Sequence, residues 1–82
     1  MSALEHALRA VTVREWIAAL ERDGFRCVRS TGSHRIYRHP DGRMVPVSFH
    51  HSADTFRRKT LKSMLAATTW MAPDLRRLGL LK

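Results

Sequence analysis

Val13, Trp16, Ile17 and Leu20 recur three and four residues apart, the spacing of one face of an α-helix. Thr12 followed by Glu15 has the spacing of a capping box, in which each side chain meets the other's backbone N–H. Gly24 suits a left-handed cap beyond the last turn. The pattern predicts a helix over about 13–23. The period then changes. Residues 25–30, 34–39 and 44–49 are short runs of strand character, separated by Thr31-Gly32-Ser33 and by Pro40-Asp41-Gly42. The second separator is a strong turn signal, because proline presets φ and glycine accepts φ > 0. Val45, Val47 and Phe49 share one face of the third run. Three such runs joined by short turns read as an antiparallel meander.

Helical spacing returns after the strands. Asp54 is placed to cap a second helix, with Phe56, Leu61, Met64 and Leu65 on its apolar side and Arg57, Arg58, Lys59 and Lys62 on its basic part. Pro73-Asp74 opens a last short helix through Leu75 and Leu78, closed at Gly79. Leu4, Leu8 and Val11 also have helical spacing, but the pattern does not say where they pack. Residues 1–11 are therefore read as an N-terminal extension to a single domain over 12–82. The order α-βββ-α with a short C-terminal helix implies an α+β fold, its helices packed on one face of a three-stranded antiparallel sheet. The other face is then open. If Tyr37 points at the helices with Val45 and Val47, alternation sends His34, Ile36 and Arg38 to that open face. The facing of the first strand stays undetermined, because Cys27 and Val28 are adjacent apolar residues. Trp16, Trp70 and Tyr37 fall in apolar patterns and are expected in the core rather than as stacking platforms.

Composition narrows the partners. With 82 residues, 44% of them hydrophobic and 27% charged, the chain is one globular domain with a small core. Fifteen Lys and Arg against seven Asp and Glu give a net charge of +8. That field attracts polyanions: nucleic acid, an acidic membrane surface or an acidic protein. Cys27 is the sole cysteine, which excludes an internal disulfide and a cysteine-rich zinc site. No apolar run approaches the length of a membrane span, and the N-terminus lacks the zones of a signal peptide. A reducing, cytoplasmic setting is expected.

Among residues that can carry chemistry, His34 stands out. It follows Gly32-Ser33 at the start of a strand, where a glycine turn lets backbone N–H groups approach phosphate oxygens. Arg29, Arg35 and Arg38 lie close by to neutralise a phosphodiester. A histidine so placed can exchange protons near neutral pH, as attack by an RNA 2′-hydroxyl requires. A polar surface histidine beside a turn would have the same sequence. Of the others, His50 and His51 are adjacent and point apart on an extended chain, so at most one lines a site. His39 and His51 are read as surface residues. Arg57, Arg58, Lys59 and Lys62 either track a nucleic-acid backbone or form a solvated helix face. Asp23, Asp41, Asp54 and Asp74 all have capping or turn explanations, so a metal-free site is expected.

Taken in order, Gly24-Phe25, Arg29, Gly32-Ser33-His34, Tyr37, His39-Pro40, Val45, Val47 and Thr60-Leu61-Lys62-Ser63-Met64-Leu65 resemble the HicA toxin family of bacterial toxin–antitoxin systems, the YcfA-like mRNA interferases. Residues 70–78 resemble the end of the longer members, so the likeness covers about 12–82. The resemblance implies a double-stranded-RNA-binding-domain-like fold and a ribosome-independent endoribonuclease that cleaves mRNA; no cofactor is expected. It implies that His34 is the catalytic residue; on the reading of the residues themselves, Gly32, Ser33, Arg29, Arg35, Arg38 and Lys62 are expected at the RNA, and His50 is a candidate to assist. It also implies a HicB-like antitoxin covering the His34 face. Neither a membrane nor direct DNA binding by the chain alone is expected. Lys59 and Thr69 stand where family members usually carry glycine, and Ser48 where proline is common. Two other readings remain open on the sequence: a non-catalytic RNA-binding module of the same fold, and a protein-interaction module for an acidic partner.

Overall fold

Local capping fixes the first long helix before any packing is considered. In the computed structural model, which describes residues 3–48 and 50–81, α1 (Ala3–Ala7) precedes α2 (Val13–Arg22). Glu15 N donates to the Thr12 hydroxyl at 3.2 Å and Thr12 N donates to Glu15 Oε1 at 3.0 Å, so the capping box forms as the spacing predicts. Those bonds to Thr12 hold the Glu15 carboxyl below its ordinary pKa. At the other end Gly24 takes φ +103°. Its N–H donates to Glu21 O and that of Phe25 donates to Leu20 O, the bond pair of a Schellman motif. A Cβ on Gly24 would also lie 3.1 Å from His39 Nε2, so glycine is required there by conformation and by space.

The three strands are β1 (Arg26–Thr31), β2 (His34–Arg38) and β3 (Met44–Ser48), an antiparallel meander in the order β1-β2-β3. Gly32, at φ +57°, makes the tight turn between the first two. His39 N to Arg43 O (2.9 Å) and Gly42 N to His39 O (2.9 Å) close the second turn. Tyr37, Val45 and Val47 are buried toward the helices, as their alternation predicts. Phe49, expected on the same face, lies outside the described residues. A β-bulge between Cys27 and Arg29 explains the adjacent apolar pair in β1: Val28 is the extra residue, which re-phases the strand on either side of it. All six residues of β1 are exposed, so the helices cover β2 and β3 and leave β1 as a bare margin.

Two helices complete the α+β fold: α3 (Arg58–Thr68) and α4 (Ala72–Arg77). In α3, Leu61, Met64 and Thr68 are buried, and the helix packs along β3 with α1 resting on it. Trp16 is fully buried between Trp70, stacked at 5.6 Å, and Phe56, edge-on at 6.4 Å. Leu8, Val11, Leu75 and Leu78 join the same core. Leu8 and Val11, ahead of Thr12, are therefore packed with the domain, although their spacing alone could not place them.

Asp54 does not cap α3. The helix starts at Arg58 with Arg57 as its N-cap residue and no side-chain cap bond. Asp54 instead accepts from His51 N (3.1 Å), and its carbonyl accepts from Val13 N (2.8 Å). An Asx side chain can close a turn as readily as it can cap a helix, and here it binds the loop after β3 to the start of α2. The C-terminal helix follows its sequence signals, with Met71 N donating to Asp74 Oδ2 (2.9 Å) and Gly79 at φ +83°.

Candidate active site

Strand pairing decides what surrounds His34. It opens β2 and sits opposite Thr31 of β1 and Ser48 of β3. Directly opposed residues project to the same face with Cβ atoms about 5 Å apart. Because Tyr37 is on the helix face, His34, Ile36 and Arg38 lie on the open face, as alternation predicts. His34 is exposed, and no hydrogen bond or ion pair joins its ring to another described residue. Gly32 beside it is unobstructed, since a Cβ there would meet nothing within 4 Å. A phosphate can therefore approach this turn without displacing protein atoms.

The bulge brings Arg29 onto the open face opposite Ile36, and Arg26 faces Arg38. Arg29 thus stands beside the residue two positions along β2 from His34. Arg38 is four positions along, roughly 13 Å at the rise of a strand. The cations form a track leading away from the histidine rather than a cage around it. None of Arg26, Arg29 and Arg38 makes an ion pair with a described residue.

Other expected site residues are placed elsewhere. Arg35 pairs with Ser30 and Val47 on the helix side of the sheet, and its Nη1 lies 3.5 Å from the Tyr37 hydroxyl, which raises its pKa further above the usual guanidinium value. It does not share a face with His34. Lys62 is exposed on α3, one turn from Arg58 and Lys59, and does not lie on the sheet that carries His34. Ser33 is half-buried in the turn. His50 is exposed and lies past the end of β3, lining a cavity of about 620 Å³ with Ser48, Asp54 and Thr60. Among the described residues no group of three His, Cys, Asp or Glu side chains converges on a metal position.

His39 departs from its expected surface role. Its Nε2 lies 2.8 Å from the Asp23 carbonyl, its Nδ1 accepts from Asp41 N at 3.1 Å, and its ring meets Phe25 edge-on at 5.1 Å. Both ring nitrogens are engaged, so this histidine joins the end of β2 to the cap of α2. The position that the sequence reading missed is Ser48. Once the hairpin closes at Arg38 and Met44, counting back along both strands sets Ser48 opposite His34, so the turn signal already contained it.

The fold and site define a small basic α+β domain presenting an unpaired histidine on an open sheet face. A family model described as the HicA toxin of bacterial toxin–antitoxin systems matches residues 13–70, and the chain belongs to that family. The match spans α2 through Trp70, so α1 and α4 lie outside it, as do the core residues Leu8, Leu75 and Leu78. No curated protein sequence matches the chain significantly. No helix among the described residues is long and apolar enough to cross a membrane.

Proposed function

We propose that this chain is the toxin of a type II toxin–antitoxin pair and acts as a metal-independent endoribonuclease on mRNA, with His34 as its proton-transfer group. The observation that carries the reading is the exposed, unpartnered His34 ring at the Gly32-Ser33 turn, at the head of the Arg29, Arg26 and Arg38 track. Membership of the HicA family supports the toxin role and an antitoxin partner. In the reaction a 2′-hydroxyl gives up its proton and attacks the adjacent phosphorus. The P–O5′ bond breaks, the leaving oxygen takes a proton, and the products end in a 2′,3′-cyclic phosphate and a 5′-hydroxyl. No metal-bound water is needed, because the nucleophile belongs to the RNA.

His34 serves one of the two proton transfers. His50, beyond the strand that carries Ser48, is the candidate for the other. A single such group contributes about 10²–10⁴-fold, so the enzyme is a slow one. Arg29 and Arg38 hold successive phosphates of a single strand across the sheet, a contact that is sequence-independent and weakened by salt. A HicB-like antitoxin of acidic character covers the same face and shuts the site.

The reading is tested on the products. Cleavage in EDTA should leave 5′ ends that accept phosphate directly from a polynucleotide kinase and 3′ ends blocked as cyclic phosphate. Products with 5′-phosphates would overturn the mechanism. Retention of intact RNA without cleavage, equal in wild type and His34→Ala, would make the chain a binding module instead.

A further inference from the structure

A groove runs along the free edge of β3, beside the site just described. Its walls are Pro46 and Ser48 on the strand and Lys59, Thr60, Ser63 and Met64 on α3, and it encloses about 340 Å³. That volume lies within the roughly 300–1,000 Å³ of small-ligand sites. Three features define what it can hold. Met64 and Pro46 supply apolar surface, Ser48, Thr60 and Ser63 supply hydroxyls that both donate and accept, and Lys59 is the only charge among the described residues of the lining. Ser48 belongs to the groove and is also the residue opposite His34 in the sheet. A ligand chain bound at His34 therefore reaches the groove by crossing one strand.

A peptide strand is a poor occupant of this edge. Pro46 lacks an N–H, and prolines in edge strands turn that side to solvent, so a strand added here would miss a ladder bond. A flat apolar-faced ring with polar edges and an attached phosphate fits the lining better. Single-stranded RNA offers such rings when its bases are splayed from the stack. We propose that this groove receives the base of the nucleotide flanking the cleaved linkage, with the Ser48, Thr60 and Ser63 hydroxyls reading its edge and Lys59 on its phosphate. The proposal rests on the ribonuclease reading for the word "cleaved", but base binding itself can be measured without cleavage.

The test uses the full chain carrying His34→Ala and four fluorescein-labelled hexaribonucleotides, each of a single base type, followed by fluorescence anisotropy. The affinities should differ among the four. Adding Ser63→Trp, an exposed position on α3, fills the groove. It should lower the tightest affinity by about tenfold and erase the differences, since one or two hydrogen bonds to a base edge are worth that order. Lys59→Gln should weaken all four probes alike and flatten the salt slope by about 0.7, the value for one phosphate on a single strand. Circular dichroism checks that each variant is folded. Four equal affinities, no binding of any probe, or a spread untouched by Ser63→Trp would overturn the proposal. A spread that Ser63→Trp erases, together with no cleavage by wild type, would leave the groove standing and remove the ribonuclease reading. Cleavage by wild type at sites that Ser63→Trp does not alter would do the reverse.

Discussion

Strand β2 begins at one histidine and is followed directly by another, and the two have opposite fates. His39, with a side chain 20% exposed, is held at both ring nitrogens by Asp23 O and Asp41 N. Around it Asp23 accepts from Trp70 Nε1 (2.9 Å) and Arg77 (3.0 Å) and lies 3.4 Å from Arg43. Arg43 also pairs with Asp41 at 2.8 Å, donates to the Thr68 carbonyl and lies over the Phe25 ring. His34 has no such network. Two of the seven acidic residues, Asp23 and Asp41, work in the His39 corner, Glu15 and Asp74 complete the caps of α2 and α4, and Asp54 closes a loop. With so many carboxylates committed to structure, the cations of the open face keep their charge unneutralised. The uneven placement of acids, more than the total of +8, concentrates positive charge on one face, a field that favours polyanions.

The corner is therefore expected to break stability and leave chemistry untouched. Asp23→Ala has the largest effect: Trp70 Nε1–H, Arg77 and Arg43 lose a largely buried carboxylate, at a cost of about 2–3 kcal/mol in urea unfolding. Cleavage per folded molecule should be unchanged. His39→Ala removes two hydrogen bonds and the ring packed on Phe25, with an expected loss of about 1–2 kcal/mol. It should again cleave RNA normally, in contrast to the same change at His34.

Thr69 sharpens the comparison from another side. It holds φ +59°, the one non-glycine residue at positive φ among the described residues, and ends α3 in a conformation that a β-branched residue resists. Thr69→Gly should stabilise the protein by about 1 kcal/mol, read as a higher urea midpoint. The smallest effect is acid sensitivity. Burial pushes the Asp23 carboxyl up, but its bonds to Trp70 and Arg77 and the charges of Arg43 and Arg77 outweigh this and hold it below its ordinary value near 3.8. Its stabilising effect is thus complete above that ordinary value and disappears as pH falls through the lower folded one. Urea midpoints of wild type should fall between pH 5 and pH 3, and those of Asp23→Asn should fall less.

Much of this was legible in the sequence where one local rule acted alone. Thr12 and Glu15, Pro40-Asp41-Gly42 and the alternation of Tyr37, Val45 and Val47 each specify their element without help from the rest of the chain. Legibility failed where two structures share one signal. Asp54 could cap or close a turn, and only the loop's tie to Val13 decides it. Leu4, Leu8 and Val11 announce an apolar face but not the surface that buries it. Cys27-Val28 concealed a bulge, and the bulge determines which face Arg29 takes. Arg35 was grouped with His34 by adjacency in sequence, whereas period-two alternation turns it to the opposite side. At the site, His34 was visible because glycine, serine and histidine meet at a turn. The groove beyond Ser48 was not, because its walls come from β3 and α3, brought together only by packing.

On the function proposed above, His34 performs chemistry and carries no structural load. The most direct test measures RNA cleavage in EDTA and urea stability on wild type and His34→Ala purified in parallel. The variant's rate should be lower by about 10²–10⁴-fold, with unfolding free energies within about 0.5 kcal/mol of each other. Equal cleavage by the two folded proteins would contradict it.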